Sequence, residues 1–173
     1  LFLLLGSLFL YFQVNFLALK IIFVFIIILF AYLGLKSLNN RRRPVFDVTL
    51  WYWKFSLSML VLSMIIWLFD IFSTNYIIAI IFAFGFLYSL LQGMVYKIIP
   101  FLSWFHLNSK GYFKLPTIRE FIDEKYIKLN FFVHVFSILF FVISYFENLL
   151  IYIAAILFLI SNMIFFINCI VAI

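Results

Sequence analysis

Apolar runs of about twenty residues, separated only by short polar breaks, fill almost the whole chain. A helix needs about 20 mostly apolar residues to cross the hydrocarbon of a bilayer. The breaks fall at Gln13–Asn15, at Lys36-Ser-Leu-Asn-Asn-Arg-Arg-Arg-Pro44, at Asp70–Asn75, at Leu107–Lys128 and at Glu147-Asn148. They divide the sequence into six expected spans: a truncated one from Leu1 to Phe12, then Phe16–Leu35, Thr49–Phe69, Tyr76–Pro100, Leu129–Phe146 and Leu149–Ile173. Runs this long exclude buried strands, and the alternation of an outer-membrane barrel is missing. The expected fold is an all-α polytopic transmembrane bundle. It forms a single domain over residues 1–173, with the bilayer as its first partner.

Composition supports that reading. The chain is 69% hydrophobic and only 10% charged, against about 25% charged residues in an average soluble domain. A water-soluble enzyme surface cannot be built from so few charges. The net charge of +6 does not indicate nucleic acid, because the cations are scattered between apolar runs and share no solvated face. They report orientation instead. Eleven of the 12 Lys and Arg residues fall on one side: Lys36, Arg41, Arg42, Arg43 and Lys54, then Lys97, Lys110, Lys114, Arg119, Lys125 and Lys128. Lys20 alone lies toward the other. The positive-inside rule places loops 36–48 and 107–128 in the cytoplasm of a bacterial inner membrane. The chain opens on Leu1 inside an apolar run, so it is expected to be the C-terminal half of a longer protein.

Within loop 107–128, Thr117-Ile-Arg-Glu120 has the pattern of a capping box, and Pro116 resists helix extension backwards. Ile118, Phe121, Ile122, Tyr126 and Leu129 recur at helical spacing beyond it. The pattern predicts a short amphipathic helix over 118–128, read either as a plain connector or as a docking surface for other subunits of a membrane complex.

Polar groups inside hydrocarbon are costly and therefore informative. Gln92, Lys97 and Pro100 cluster near the end of the Tyr76–Pro100 span. Pro100 is expected to kink or end that helix, and Lys97 to snorkel to the headgroups. Gln92 and Asn162 are candidate positions along a solute pathway, while Gln13, Asn15, Asn162 and Asn168 equally suit amide bonds between helices. His106 and His134 are the only histidines. Both lie toward the cytoplasmic side on consecutive spans, where two neutral imidazoles would suffice for a bis-histidine haem. The alternative is an interfacial His106 and a His134 hydrogen-bonded to a neighbouring helix. The single Cys169, with no third histidine, offers no zinc or copper site. No catalytic constellation is visible.

Three stretches carry a resemblance. Arg41-Arg-Arg-Pro-Val-Phe-Asp-Val-Thr-Leu-Trp-Tyr-Trp53 resembles the basic loop and helix entry of a group of bacterial multi-pass proteins. Gly93-Met-Val-Tyr-Lys-Ile-Ile-Pro-Phe-Leu-Ser-Trp-Phe-His106 is similar to a second segment of that group, and Gln13-Val14 to a turn in it. The group is described as similar to subunit I of the heme-copper oxidases, such as cytochrome c oxidase. Asn15 stands where the group has proline, and Phe16-Leu17 where it has Met-Phe. Genuine oxidase subunits also carry a closely spaced histidine pair, which this chain lacks. The resemblance therefore implies an oxidase-like bundle linked to respiratory metabolism, with haem held through His106 or His134 and a ligand from the N-terminal half. Oxygen reduction by this half is not supported.

Overall fold

A computed structural model describes residues 2–41, 47–69, 75–111 and 116–172, with side chains described from Leu19 onward. Among the described residues, five helices are long and apolar enough to cross a membrane: α1 (Phe2–Asn39, apolar over Leu19–Asn39), α2 (Thr49–Phe69), α3 (Tyr76–Ser109), α4 (Glu124–Ile143) and α5 (Leu150–Val171). No strand occurs among the described residues.

The distribution of side chains identifies the solvent. Ser56, Ser63, Ser89, Asn130, His134, Ser137 and Ser161 are fully buried, whereas Phe25 is 66% and Tyr152 71% exposed. A water-soluble protein does the reverse. Apolar side chains turned outward and polar ones turned inward are the arrangement that hydrocarbon demands. The protein is an integral membrane protein.

α2 sits at the centre, packed against α1 on one side and α3 on the other, while α4 and α5 form a closely packed pair joined through residues 144–149. The α2 start follows from its sequence. Asp47 accepts hydrogen bonds from the Thr49 N–H (2.9 Å) and hydroxyl (2.6 Å), satisfying donors that a helix start leaves free. α4 starts in the same way, with the Asp123 carboxylate accepting from the Lys125 N–H at 3.1 Å.

Three expectations are corrected. α1 runs as one helix through Gln13 and Asn15, so five spanning helices replace six. Neither residue removes a backbone donor as proline does, and a polar pair alone does not stop a helix. Pro100 does not end α3, which continues to Ser109. In a membrane helix, neighbouring elements re-satisfy what proline disrupts. The amphipathic helix over 118–128 is not formed. Thr117 and Glu120 close a turn, with the Thr117 N–H on the Glu120 carboxylate (2.9 Å) and the Glu120 N–H on the Thr117 carbonyl (2.8 Å). The helix begins only at Glu124, because the extended Asp123 (φ −62°, ψ 126°) is the cap that wins.

Residues Ile81–Tyr88 of α3 are wound as a π-helix, and the Ser89 hydroxyl bonds the Phe84 carbonyl at 3.1 Å. π-turns inside α-helices occur frequently at functional sites.

Candidate functional site

The site builds downward from the Lys/Arg-rich end of the bundle. Lys97 on α3 pairs with Asp47 before α2, Nζ to Oδ2 at 3.3 Å, and lies over the Trp53 ring 4.6 Å from its centroid. Gly93, one turn earlier on α3, permits this approach. A Cβ there would sit 2.5 Å from Trp53 Cδ1 and 2.9 Å from Tyr52 Cβ. The structure thus joins Asp47–Trp53 and Gly93–Pro100, two stretches far apart in sequence. Burial alone would raise the Asp47 carboxyl, but the Thr49 bonds and the Lys97 ammonium outweigh it and hold the group below its ordinary range. At the opposite end of α2, Lys20 lies over the Trp67 ring at 4.7 Å.

Beside this joint is a cavity of about 500 Å³, lined at its polar end by Asp47, Thr49, Tyr96, Lys97, Arg119 and Glu124. Tyr96 forms its inner boundary and is also the hub of the membrane interior. Its hydroxyl accepts from Asn130 Nδ2 (2.9 Å) and Asn168 Nδ2 (3.0 Å), and Asn130 Oδ1 accepts from Ser161 at 2.8 Å. These bonds tie α3, α4 and α5 together.

Deeper along α3 is a second polar group. Ser89 Oγ lies 2.9 Å from His134 Nε2. The hydroxyl proton goes to the Phe84 carbonyl, so the Ser89 oxygen accepts from an N–H on His134 Nε2. His134 Nδ1 is then an unprotonated acceptor, buried and without a partner. Tyr88 donates to Asn162 Oδ1, and Asn162 Nδ2 bonds the Phe158 carbonyl of its own helix at 2.8 Å.

Gln92 lies between the two groups, about one turn from each. It is 1% exposed, and neither its amide nitrogen nor its amide oxygen makes a well-aligned hydrogen bond, the Tyr88 hydroxyl being the side-chain group that interacts with it. The buried Tyr52 hydroxyl also lacks a well-aligned hydrogen bond, although Asn130 and Tyr96 interact with it. An orphaned buried polar atom costs about 1–3 kcal/mol. Tyr52, Trp53, Gln92 and His134 all carry buried polar atoms without a well-aligned bond, which suits a bundle interior that accepts water or a small polar molecule.

The sequence-derived residues separate as follows. Lys97 and Pro100 line the cavity, Gln92 is buried further along α3, and Asn162 ties α5 to α3 through Tyr88. Asn168 belongs to the Tyr96 hub. Gln13 and Asn15 lie outside the residues whose side chains are described. The histidines do not share a site, contrary to expectation. His134 is bonded at Ser89, while exposed His106 lies on the same helix about 25 Å further on at ~1.5 Å per residue, too far for one iron. The His134 ring also packs against Tyr88 and Phe158, with centroids 5.5 and 6.2 Å away. The described residues therefore do not fit a haem held between the two histidines. Among them, no group of three or more His, Cys, Asp or Glu is placed to hold a metal ion. Sequence reasoning missed Tyr52, Ser89 and Tyr96. The available signal was the spacing of Ser89, Gln92 and Tyr96, which puts three polar residues on one helix face.

No family model matches this chain, and neither does any curated protein or solved structure.

Proposed function

We propose that this chain belongs to an integral inner-membrane protein of the heme-copper oxidase subunit I-like type, with the Lys97–Asp47 end in the cytoplasm. In this reading its contribution to respiratory metabolism is proton transfer along the buried face from the cavity to His134. The observation that carries the reading is the double position of Tyr96, which borders the cavity on one side and receives Asn130 and Asn168 on the other. The poorly bonded Gln92 amide and the unpartnered His134 Nδ1 support it, since water there would join the two hydrogen-bonded groups into one path. No step runs through haem. A haem on the whole protein would draw on the exposed His106, with its second ligand outside the described residues, and a Soret band lost in His106→Ala would be its signature.

The test is proton uptake by proteoliposomes of the full-length protein under an imposed potential, followed with a trapped pH dye. Uptake above that of empty vesicles, and lost in Gln92→Leu, is expected. Uptake equal to that of empty vesicles refutes the reading. The same buried Gln92 amide favours a second reading, a permease for a small polar solute. Solute uptake that vanishes in Gln92→Ala, without proton flux, would select it.

A further inference from the structure

Ser56, Ser63, Ser137 and Ser144 each bond the backbone carbonyl three residues back, and Ser58 bonds the one four back. That is the ordinary reach of a serine in an α-helix. Ser89 instead bonds the Phe84 carbonyl, five residues back, at 3.1 Å. The longer reach comes from the backbone, because Ile81–Tyr88 is wound as a π-helix, whose turns close through i→i+5 bonds. A turn closed in that way holds one residue more than an α-turn.

This surplus residue lies between two fixed ends of α3. Before it, the Tyr76 and Ser144 hydroxyls share a hydrogen bond at 3.1 Å, and Ile77 packs in one cluster with Ile66. Beyond it, Gly93 lies against Trp53, Tyr96 receives Asn130 and Asn168, and Lys97 closes on Asp47. Between the ends, the Phe84 ring is stacked on Phe141 with centroids 5.8 Å apart, and Gly85 lies so near α2 that a Cβ would meet Met59 Cγ at 3.0 Å.

We propose that the surplus residue is a positioning device for His134. It turns the Phe84 carbonyl toward the Ser89 hydroxyl, which leaves the Ser89 oxygen 2.9 Å from His134 Nε2. The same carbonyl also interacts with the imidazole. In an unbroken α-helix the hydroxyl would bond the Gly85 or Phe86 carbonyl, as the other serines do, and its oxygen would turn from the ring. His134 is thereby held with Nδ1 as its open acceptor, ready for a proton or for a hydrogen bond from an incoming group. The proposal does not rest on the proton-transfer reading, because a fixed tautomer is observable whether or not protons move.

The experiment deletes one residue from the full-length protein. A residue removed from an α-helix turns everything beyond it by about 100°. Leu87 in the π segment and Leu62 in the middle of α2 are a matched pair, 43% and 41% exposed. Deleting Leu87 should remove only the surplus, so melting temperature should stay within a few degrees of wild type and Trp emission should not change. Deleting Leu62 should abolish folding. Nitrogen-15 NMR then reads His134, with the exposed His106 as solvent reference. Wild type is expected to show the Nε2-protonated form, and the Leu87 deletion a mixture of both tautomers. Equal outcomes for the two deletions, folded or unfolded, overturn the proposal, since Leu87 then marks no surplus. A folded Leu87 deletion that keeps a single Nε2-protonated His134 also overturns it, since the winding then does not position the ring.

Discussion

Lys97 closes on Asp47 at 3.3 Å while its ammonium rests on the Trp53 ring, which locks α3 to the start of α2. The Asp47 carboxyl lies below its ordinary value when folded, so its stabilisation is complete above the ordinary carboxylate range. It is lost as pH falls through the depressed folded value, that is, below about pH 4. Melting temperature in detergent should fall over that window in wild type and stay flat in Asp47→Asn. Lys97→Met should lower the melting temperature at pH 7 by only a few degrees, because the pair is part-exposed and screened. An equal pH dependence in Asp47→Asn would assign the effect to other carboxylates.

Gly93 is where α3 comes closest to α2. An added Cβ would meet Trp53 at 2.5 Å, and such overpacking costs about 1–3 kcal/mol. Gly93→Ala should therefore be destabilised by that amount and should lose the Lys97–Trp53 contact, read as a change in Trp fluorescence. Gly111→Ala is the contrast. Nothing lies within 4 Å of its Cβ, but φ is +79°, so its cost is backbone strain alone and Trp emission should not change.

Some of this was readable in advance, and particular residues show why. The start of α2 agrees with the sequence because Asp47 and Thr49 cap it, so local chemistry decides it. The turn at 117–120 was readable only as a motif. Its bonds form as the motif requires, but a competing cap at Asp123 took the helix start, next to Ile122, which is buried in one cluster with Val48 and Tyr96. The π segment left no trace, since Ile81–Tyr88 is uniformly apolar. Tyr52 and Tyr96 were hidden among ten tyrosines. A tyrosine at an interface and one at the hub of three helices look the same until the helices are packed.

Ser89 fixes the state of His134. With the Ser89 proton on the Phe84 carbonyl, the imidazole carries its proton on Nε2. Nitrogen-15 NMR of labelled protein should report that tautomer in wild type and a mixture in Ser89→Ala. The variant also leaves Nε2 without its partner, at about 1–3 kcal/mol. A single Nδ1-protonated form in wild type would contradict the assignment.

Tyr96→Phe deletes one oxygen and strands two amides, since Asn130 and Asn168 both donate to that hydroxyl. The cost should be about 1–3 kcal/mol for each stranded amide, so the variant should lose more stability than Ser89→Ala. Replacing Asn168 by Leu as well removes one stranded donor and should recover part of the loss. Denaturation of the detergent-solubilised single and double variants gives the comparison. Additive losses would mean that Tyr96 and Asn168 do not act together.

Gln92 should behave in the opposite way. Its buried amide makes no well-aligned bond and has only the Tyr88 hydroxyl to interact with, so it costs stability in the dry bundle. Gln92→Leu, of similar volume, should be neutral or more stable by about 1–2 kcal/mol, because it removes a poorly bonded buried amide. Proton uptake through the same variant should vanish, since the two hydrogen-bonded groups lose the amide between them. Stability gained together with activity lost is the signature of a residue kept for function against the interest of the fold. A variant both less stable and fully active would show that Gln92 is held by bonds to water alone and lies off the path.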